Sequence, residues 1–473
     1  MPDGPVVPDD VSAAPSYAQL AAALNVAAAR IAQLETINTE LAARVAELEA
    51  RLGADSSNSS TPPSAEGLGK KPATPRRRGG RRGKQPGDPG RHLAQVADPD
   101  EVIEHVPERC GGCGDDLGDA DVAGTAARQV FDIPPLRLRT VEHRALRRRC
   151  GCGHVTVAAF PPEATAPACY GPGVRALIAY LVVHQHLPVD RTAQLLTEVL
   201  GAPVSTGTVA AATGQAAGRV AAAVETIRAR LVAAAVAHFD ETGARVAGRL
   251  HWLHVASTGL LTLLSVHANR GKAATDAAGV LPRFTGTAVH DGWSPYRRYT
   301  DVAHGLCNAH HLRELTAAAE AGHGWADDLA EVLRYAHRRV NDAKAAGADR
   351  LDPEVLASIN ARYDGHLQQA AAATAARRSK PAALARRLAR HRDDVLRFTV
   401  DFAVPFDNNQ AERDIRMVKL QQKISGCWRT LTGAEAFCAV RSYTATARKH
   451  GIPILDALHA AFTDQPWHPP ATT

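Results

Sequence analysis

The chain has 473 residues, more than one ordinary domain holds, so several hydrophobic cores are expected. Aromatic residues are few at 5% and alanine is abundant, which predicts a helix-rich protein with modest strand content. The formal net charge of +6 is mild, so any affinity for polyanions must come from how the charge is distributed rather than from its total. No apolar run approaches the length that crosses a bilayer, and the opening Met-Pro-Asp-Gly lacks the basic and apolar regions of a secretory signal. A cytoplasmic protein without membrane contact is expected, and there close cysteine pairs read as metal ligands rather than disulfides.

Residues 17–52 carry the clearest periodicity. Leu20, Ala27, Leu34, Leu41 and Leu48 fall seven apart, and Leu24, Ile31, Asn38, Val45 and Leu52 form a second series offset by four. This predicts a coiled coil that pairs two or more copies of the chain, with Asn38 as the polar residue that favours a parallel two-stranded register. Residues 53–92 combine a Ser/Pro-rich stretch with a basic arm holding Arg76, Arg77, Arg78, Arg81, Arg82 and Lys84. Nine Lys or Arg and a single Asp lie between Lys70 and Arg91. Such a segment cannot bury a core and suits a polyanion such as DNA. Within residues 100–160, Cys110-Gly-Gly-Cys113 and Cys150-Gly-Cys152 bracket strand-like residues and look like a zinc ribbon, with His154 able to replace one thiolate. The alternative is free structural thiols. Residues 171–231 read as helical. A short helix, Gly201 and a second helix capped by Ser205, with Thr206 and Thr208 in its first turn, suggest a helix-turn-helix that contacts DNA; a plain helical bundle fits the same pattern.

From residue 234 the texture changes. Val236 to Asp240 reads as a strand ending in an acid, Leu250 to Ala256 and Leu260 to Val266 as two more, Ala273 to Leu281 as a helix, and Thr287 to His290 as a fourth strand that delivers Asp291. This order fits a ribonuclease-H-like α/β core over 234–319 and 401–462, interrupted by an Ala- and Arg-rich helical insertion over 320–400. A third acid, Glu412, lies early in a helix for which Asp407 is a plausible N-cap and Gln410 the partner in a capping box. Ala411, Ile415 and Val418 form the stripe expected to be buried, and Glu412, Arg416, Lys419 and Lys423 a neighbouring one. Alone, each acid has an ordinary explanation: turn openers for Asp240 and Asp291, an i,i+4 ion pair for Glu412. Together they are the oxygen donors that two Mg²⁺ or Mn²⁺ ions need beside a phosphodiester, with Asp407 as the main competitor for the third place. The basic residues Arg416, Lys419 and Lys423 would then position phosphates. Cys307-Asn-Ala-His310 is expected to be structural, Cys307 ending a strand and His310 opening a helix near this site.

The motifs His238-Phe-Asp-Glu-Thr-Gly243, His251-Trp-Leu-His-Val255, Val289-His-Asp-Gly-Trp293, Leu306-Cys-Asn-Ala-His-His-Leu-Arg-Glu-Leu315, Asp407-Asn-Asn-Gln-Ala-Glu-Arg413, Gln422-Lys-Ile-Ser-Gly426 and Arg441-Ser-Tyr443 resemble those of the insertion-sequence-66 family of transposases. The order of coiled coil, linker, basic arm and cysteine module is similar as well. The resemblance implies a bacterial DDE transposase that binds terminal inverted repeats and cuts and joins DNA. Asp240, Asp291 and Glu412 would be its catalytic metal ligands, Cys307 and His310 its Cys-x-x-His element, and small proteins encoded by the same element its accessory partners. Two other classes remain open at this point. One is a non-catalytic coiled-coil and zinc DNA-binding regulator, which leaves the acids unexplained; the other is a structure-selective nuclease that joins no strands.

Overall fold

The computed structural model describes residues 16–52, 93–134, 136–375 and 379–470 of a mixed α/β chain. The basic arm, with Arg76, Arg77, Arg78, Arg81, Arg82 and Lys84, lies outside the described residues. Helix α1 (Tyr17–Leu52) is a single run of 36 residues, about 54 Å long at the helical rise. Along it Leu20, Leu24, Ile31, Leu34, Leu41 and Val45 remain exposed, so nothing among the described residues covers its apolar stripe.

None of the described residues between 93 and 170 is buried. Strands β1 (Arg147–Arg149) and β2 (Val155–Val157) form a small antiparallel ribbon around the second cysteine pair. The described residues between Cys113 and Arg147 form no strand, contrary to their strand-like composition. With no layer to pack against, β-branched side chains there have no pleated surface to fit.

Helix α2 (Pro172–Ala179) runs on into one π turn, Tyr180–His184, and is followed by α3 (Val189–Leu200) and α4 (Thr206–Val232). Gly201 ends α3 in the left-handed conformation, at φ 63°, which glycine adopts without the usual side-chain penalty. Ser205 caps α4 by accepting from the Thr208 backbone N–H at 3.1 Å. Ile178, Leu196, Val204 and Val209 close a small core here. Farther along, Val220, Ile227 and Leu231 of α4 join the main core under the large sheet.

That sheet has five strands: β3 (Val236–Val246), β4 (Arg249–Ser257), β5 (Thr262–His267), β6 (Thr287–His290) and β7 (Ala303–Leu306), in the order β5-β4-β3-β6-β7. The first three form an antiparallel meander, while β6 and β7 run parallel to β3. Helix α5 (Lys272–Ala277) and a short 3-10 turn make the crossover from β5 to β6. At its end a Cβ on Gly286 would lie 2.4 Å from the Ala235 carbonyl oxygen, and Thr287 N–H donates to that same oxygen at 2.8 Å. Only glycine lets β6 dock against the start of β3 in this register.

Helix α6 (Asn308–Glu320) follows β7 and leads into α7 (Gly324–Ala345), α8 (Pro353–Thr374), α9 (Lys380–Arg390) and α10 (Arg392–Val400). These helices pack around their own core of Leu329, Leu333, Ile359, Tyr363, Leu388 and Phe398. The chain then returns to the sheet through α11 (Asn409–Ser425), α12 (Leu431–Lys449) and α13 (Ile454–Phe462). Among the described residues, no helix is long and apolar enough to cross a membrane.

Candidate active site

Strand register brings two of the acids together. His238 pairs with Val289 on the parallel strand β6, so two residues farther on Asp240 and Asp291 stand at the same height. His290 pairs with Leu306 of β7, so Cys307 follows at that height one strand over. Neighbouring strands lie about 4.8 Å apart, which sets the spacing of this row. Asp240 does not end its strand, as its sequence suggests. β3 continues to Val246 because Glu241 to Val246 pair with Arg249 to His254. Asp291 does sit just past its strand, in a turn that Gly292 closes at φ 92°. Its Oδ1 accepts from the Trp293 N–H at 2.8 Å, and His290 Nδ1 accepts from the Gly292 N–H at 2.9 Å. Fully buried His290 meets His304 Nδ1 through its other ring nitrogen at 3.0 Å, so the turn is anchored from below.

Glu412 arrives from α11, and the residue that places it is Asn408. This buried side chain meets His238 Nδ1 at 2.9 Å and donates to the Phe239 carbonyl at 2.8 Å, while its N–H donates to Cys307 Sγ at 3.1 Å. One residue thereby ties the start of α11 to β3 and to the end of β7. The expected capping box is absent. Asn408 occupies the N-cap position, Asp407 accepts from the Asn409 N–H, and Gln410 donates to Asp414. With its amide turned to the strand, Asn408 makes no side-chain cap. Ala411, Ile415 and Val418 are buried, as their spacing requires.

The acids sense one another. Burial first, then Glu241, Asp291 and Glu412, push the Asp240 carboxyl well above the usual carboxylate range, and Asp407 is not among these neighbours. Glu241 faces the other way along the pleat. It is tied to Arg270, at 2.6 Å, and to the Tyr296 hydroxyl. Arg270 itself lies between the rings of Trp252 and Trp293, 4.7 and 4.3 Å from their centres. On the opposite side Cys307 caps α6, and His310 Nδ1 lies 3.8 Å from Glu412 Oε1. Among the described residues the one group of three potential ligands within 4.8 Å of each other is Cys307, His310 and Glu412. Asp240, Asp291 and Glu412 are thus spread more widely than a single-ion nest. Burial holds the Cys307 thiol up at about 12, so it stays protonated at neutral pH.

The basic residues of α11 divide. Lys419 is committed to the Gly243 carbonyl at 2.6 Å, Lys423 is exposed, and Arg416, one turn along from Glu412, lines a cleft between α11 and α12. Ser205 and Thr208 bond to each other at the tip of α4, leaving Thr206 exposed beside them. The cysteine pairs sit on two tight turns. Cys110 N–H donates to Asp115 O and Cys150 N–H to His154 O, with Gly114 and Gly153 at positive φ. Neighbouring backbone N–H groups lower the Cys110 thiol to about 7, as suits a metal-binding thiolate. No three of the four thiols come within ligand distance of one another. Asn408 and Arg270 were not singled out from sequence. Asn408 stands in the same Asp-Asn-Asn motif as Glu412, but its partners lie about 170 positions away.

The family model described as "Transposase IS66 family" matches residues 167–436, more than half of the chain, and includes both β3 and α11. The chain belongs to the IS66 transposase family. It is a transposase, and the model for the zinc-finger binding domain of transposase IS66 matches residues 107–153. That span includes Cys110, Cys113, Cys150 and Cys152 and stops one residue short of His154. A family of unknown function matches residues 13–94, across α1 and the basic arm. No curated protein matches the chain. The IS66 assignment accounts for a sheet domain that follows a cysteine module, and it removes the non-catalytic regulator as a reading of the whole chain.

Proposed function

We propose that this transposase is of the DDE type, with Asp240, Asp291 and Glu412 holding two divalent cations, Mg²⁺ or Mn²⁺, against the phosphodiester at the ends of its element. The observation that carries the reading is the shared height of Asp240 and Asp291 on parallel strands, with Glu412 brought to them by Asn408. Three oxygen donors suit hard cations, and the burial and, after it, the repulsion that raise Asp240 are what bound positive charge offsets. When bound, such a pair of ions activates the attacking oxygen and stabilises the leaving one in an in-line displacement. The chain's own residues keep the acids on rigid elements, half-bury Asp240, and lock Glu241 out of the row through Arg270. Strand order β5-β4-β3-β6-β7, with the last two strands parallel to β3, supports a ribonuclease-H-like core over 234–319 and 401–462 with 320–400 as its insertion.

The remaining parts serve DNA. The uncovered stripe of α1 supports a coiled coil that pairs subunits into a homodimer or higher assembly. Cys110, Cys113, Cys150 and Cys152 hold a structural zinc, and the module over 100–160, the arm over 53–92 and the helices over 171–231 bind the terminal repeats in the cytoplasm. Arg416 and Lys423 position phosphates; Lys419, engaged with Gly243, braces α11 instead. Accessory proteins of the same element complete the assembly.

The test is cleavage of labelled duplex bearing the element's own ends, with Mg²⁺, by the parent, Asp240→Asn and Glu412→Gln proteins. Cutting at the element boundary by the parent alone supports the assignment. Cutting by Asp240→Asn removes it, and cutting of branched substrates without those ends would make the protein a structure-selective nuclease.

A further inference from the structure

A second site lies between α11 and α12. A cleft of about 450 Å³ opens between α11 and α12 above β5, lined by Arg413, Arg416, Arg441 and Arg448 together with His184 and Thr262. Its one carboxylate is already used. Asp414 accepts from Lys449 at 2.8 Å, from Thr262 Oγ1 at 3.1 Å and from Gln410 at 3.0 Å. Lys449 also donates to the Thr258 and Leu261 carbonyls, so this pair is closed on itself. Among the described residues, none of the four arginines has a carboxylate within ion-pair distance; Arg413 reaches only the Gln410 amide oxygen.

Arg441 is the telling residue. It is 6% exposed, yet among the described residues its guanidinium meets only the imidazole and carbonyl of His184, at 3.0 and 3.5 Å. That imidazole is a neutral acceptor, since burial and Arg441 itself push its pKa down to about 4. Burial and Arg448 lower Arg441 to about 10 against the pull of Asp414, which lies beyond ion-pair distance, and Arg441 stays cationic at neutral pH. A buried guanidinium without an anion is costly unless something supplies one.

We propose that this cleft is a phosphodiester-binding site that grips a DNA backbone beside the catalytic acids, with Arg441 at its floor and Arg413, Arg416 and Arg448 on its walls. The proposal rests on the transposase reading for its choice of DNA as the anion. Arg416 is one turn along α11 from Glu412, about 6 Å by the helical rise. The cleft floor on β5 is two strands from β3, about 10 Å. At 3.4 Å of duplex rise per nucleotide, that is about three nucleotides from the acids. Contacts of this kind fix register on the duplex and read no sequence.

The test uses the full chain with exposed Arg416 and Arg448 both changed to Gln, so that the buried Arg441 and the fold are left alone. Arg338→Gln on α7 combined with Arg350→Gln, on the turn between α7 and α8, is the charge-matched control. Three quantities are measured: affinity for duplex bearing element ends, affinity for unrelated duplex, and joining of a pre-cut end to a target duplex. Loss of two phosphate contacts should weaken binding at least tenfold and reduce the slope of log affinity against log salt by about 2. Equal weakening on both duplexes places the backbone of the element's end in the cleft. Normal end binding with joining reduced at least tenfold places target DNA there. Parent-like values in every arm overturn the site, while Asp240→Asn run alongside reports separately on the catalytic reading. A parent that binds no DNA overturns both.

Discussion

The two groups of proposed metal ligands in this chain are built in opposite ways. Asp240 and Asp291 stand on paired strands, Glu412 is pinned through Asn408, and the whole row sits at the edge of a large buried core. The four thiols sit on two exposed turns, in a stretch of chain that buries nothing. In the first, the fold holds the ligands against their own repulsion. In the second, the ligand turns are shaped but their meeting is left to the ion, so ion binding there is folding free energy. An acid site that exchanges cations during a reaction gains from preorganisation, whereas a module too small for a core needs a staple.

The largest expected effect tests the first half of this contrast. Asp240→Asn should lower cleavage of element ends by more than about a thousandfold, at the scale of lost transition-state stabilisation, without loss of thermal stability. Removing a half-buried carboxyl crowded by Glu241, Asp291 and Glu412 should, if anything, raise the melting temperature. A lowered melting temperature would mean that the acid is structural. The second effect tests the other half. Chelation of zinc, or Cys110→Ser, should make residues 93–170 protease-sensitive while the far-ultraviolet signature of the sheet and its helices persists. If both halves melt together, the contrast fails.

Asn408→Ala should be intermediate. It leaves the Phe239 carbonyl and the His238 ring without their buried partner, a cost of about 1–3 kcal/mol. It should also cut turnover more than DNA affinity, since it frees the helix that bears Glu412. Gly286→Ala should destabilise the sheet without touching the acids, because the new methyl meets the Ala235 carbonyl; equal stability of variant and parent in urea would dismiss that contact. The smallest effect is in pH. His184, His186 and His254 are held neutral by burial, with pKa values of about 4 against an ordinary 6.5. Depressed values mean that stability is present above pH 6.5 and drains as pH falls toward 4, because the unfolded chain takes up the protons first. Urea midpoints between pH 7.5 and 5 should therefore decrease, and His254→Gln should flatten the decline.

Much of this was legible because it is local. The strand-like runs, the turn after His290, the Ser205 cap and the buried stripe of α11 follow from short-range pattern. What pattern missed depends on partners far away in the chain. Asp407 looked like the cap because Asp-x-x-Gln is a good local signal, but the Asn408 amide had a better use on β3. β3 looked as if it ended at Asp240 because Glu241, Thr242 and Gly243 break the apolar run; pairing with β4 carries it on. The arginines of α11 and α12 are dispersed in sequence and converge only when the two helices pack on the sheet.

The clamp made by Asn408 also sets a clock on synthesis. Both aspartates and the whole five-stranded sheet emerge well before residue 408, and the five helices α6 to α10 come in between. On the proposed reading, a chain that stops short of residue 408 carries both aspartates but has no third acid, nothing to seat it, and none of the α11 to α13 side chains that close the core under the sheet. On that reading, competence to cut waits for the last helices to pack, whatever the earlier parts of the chain already hold.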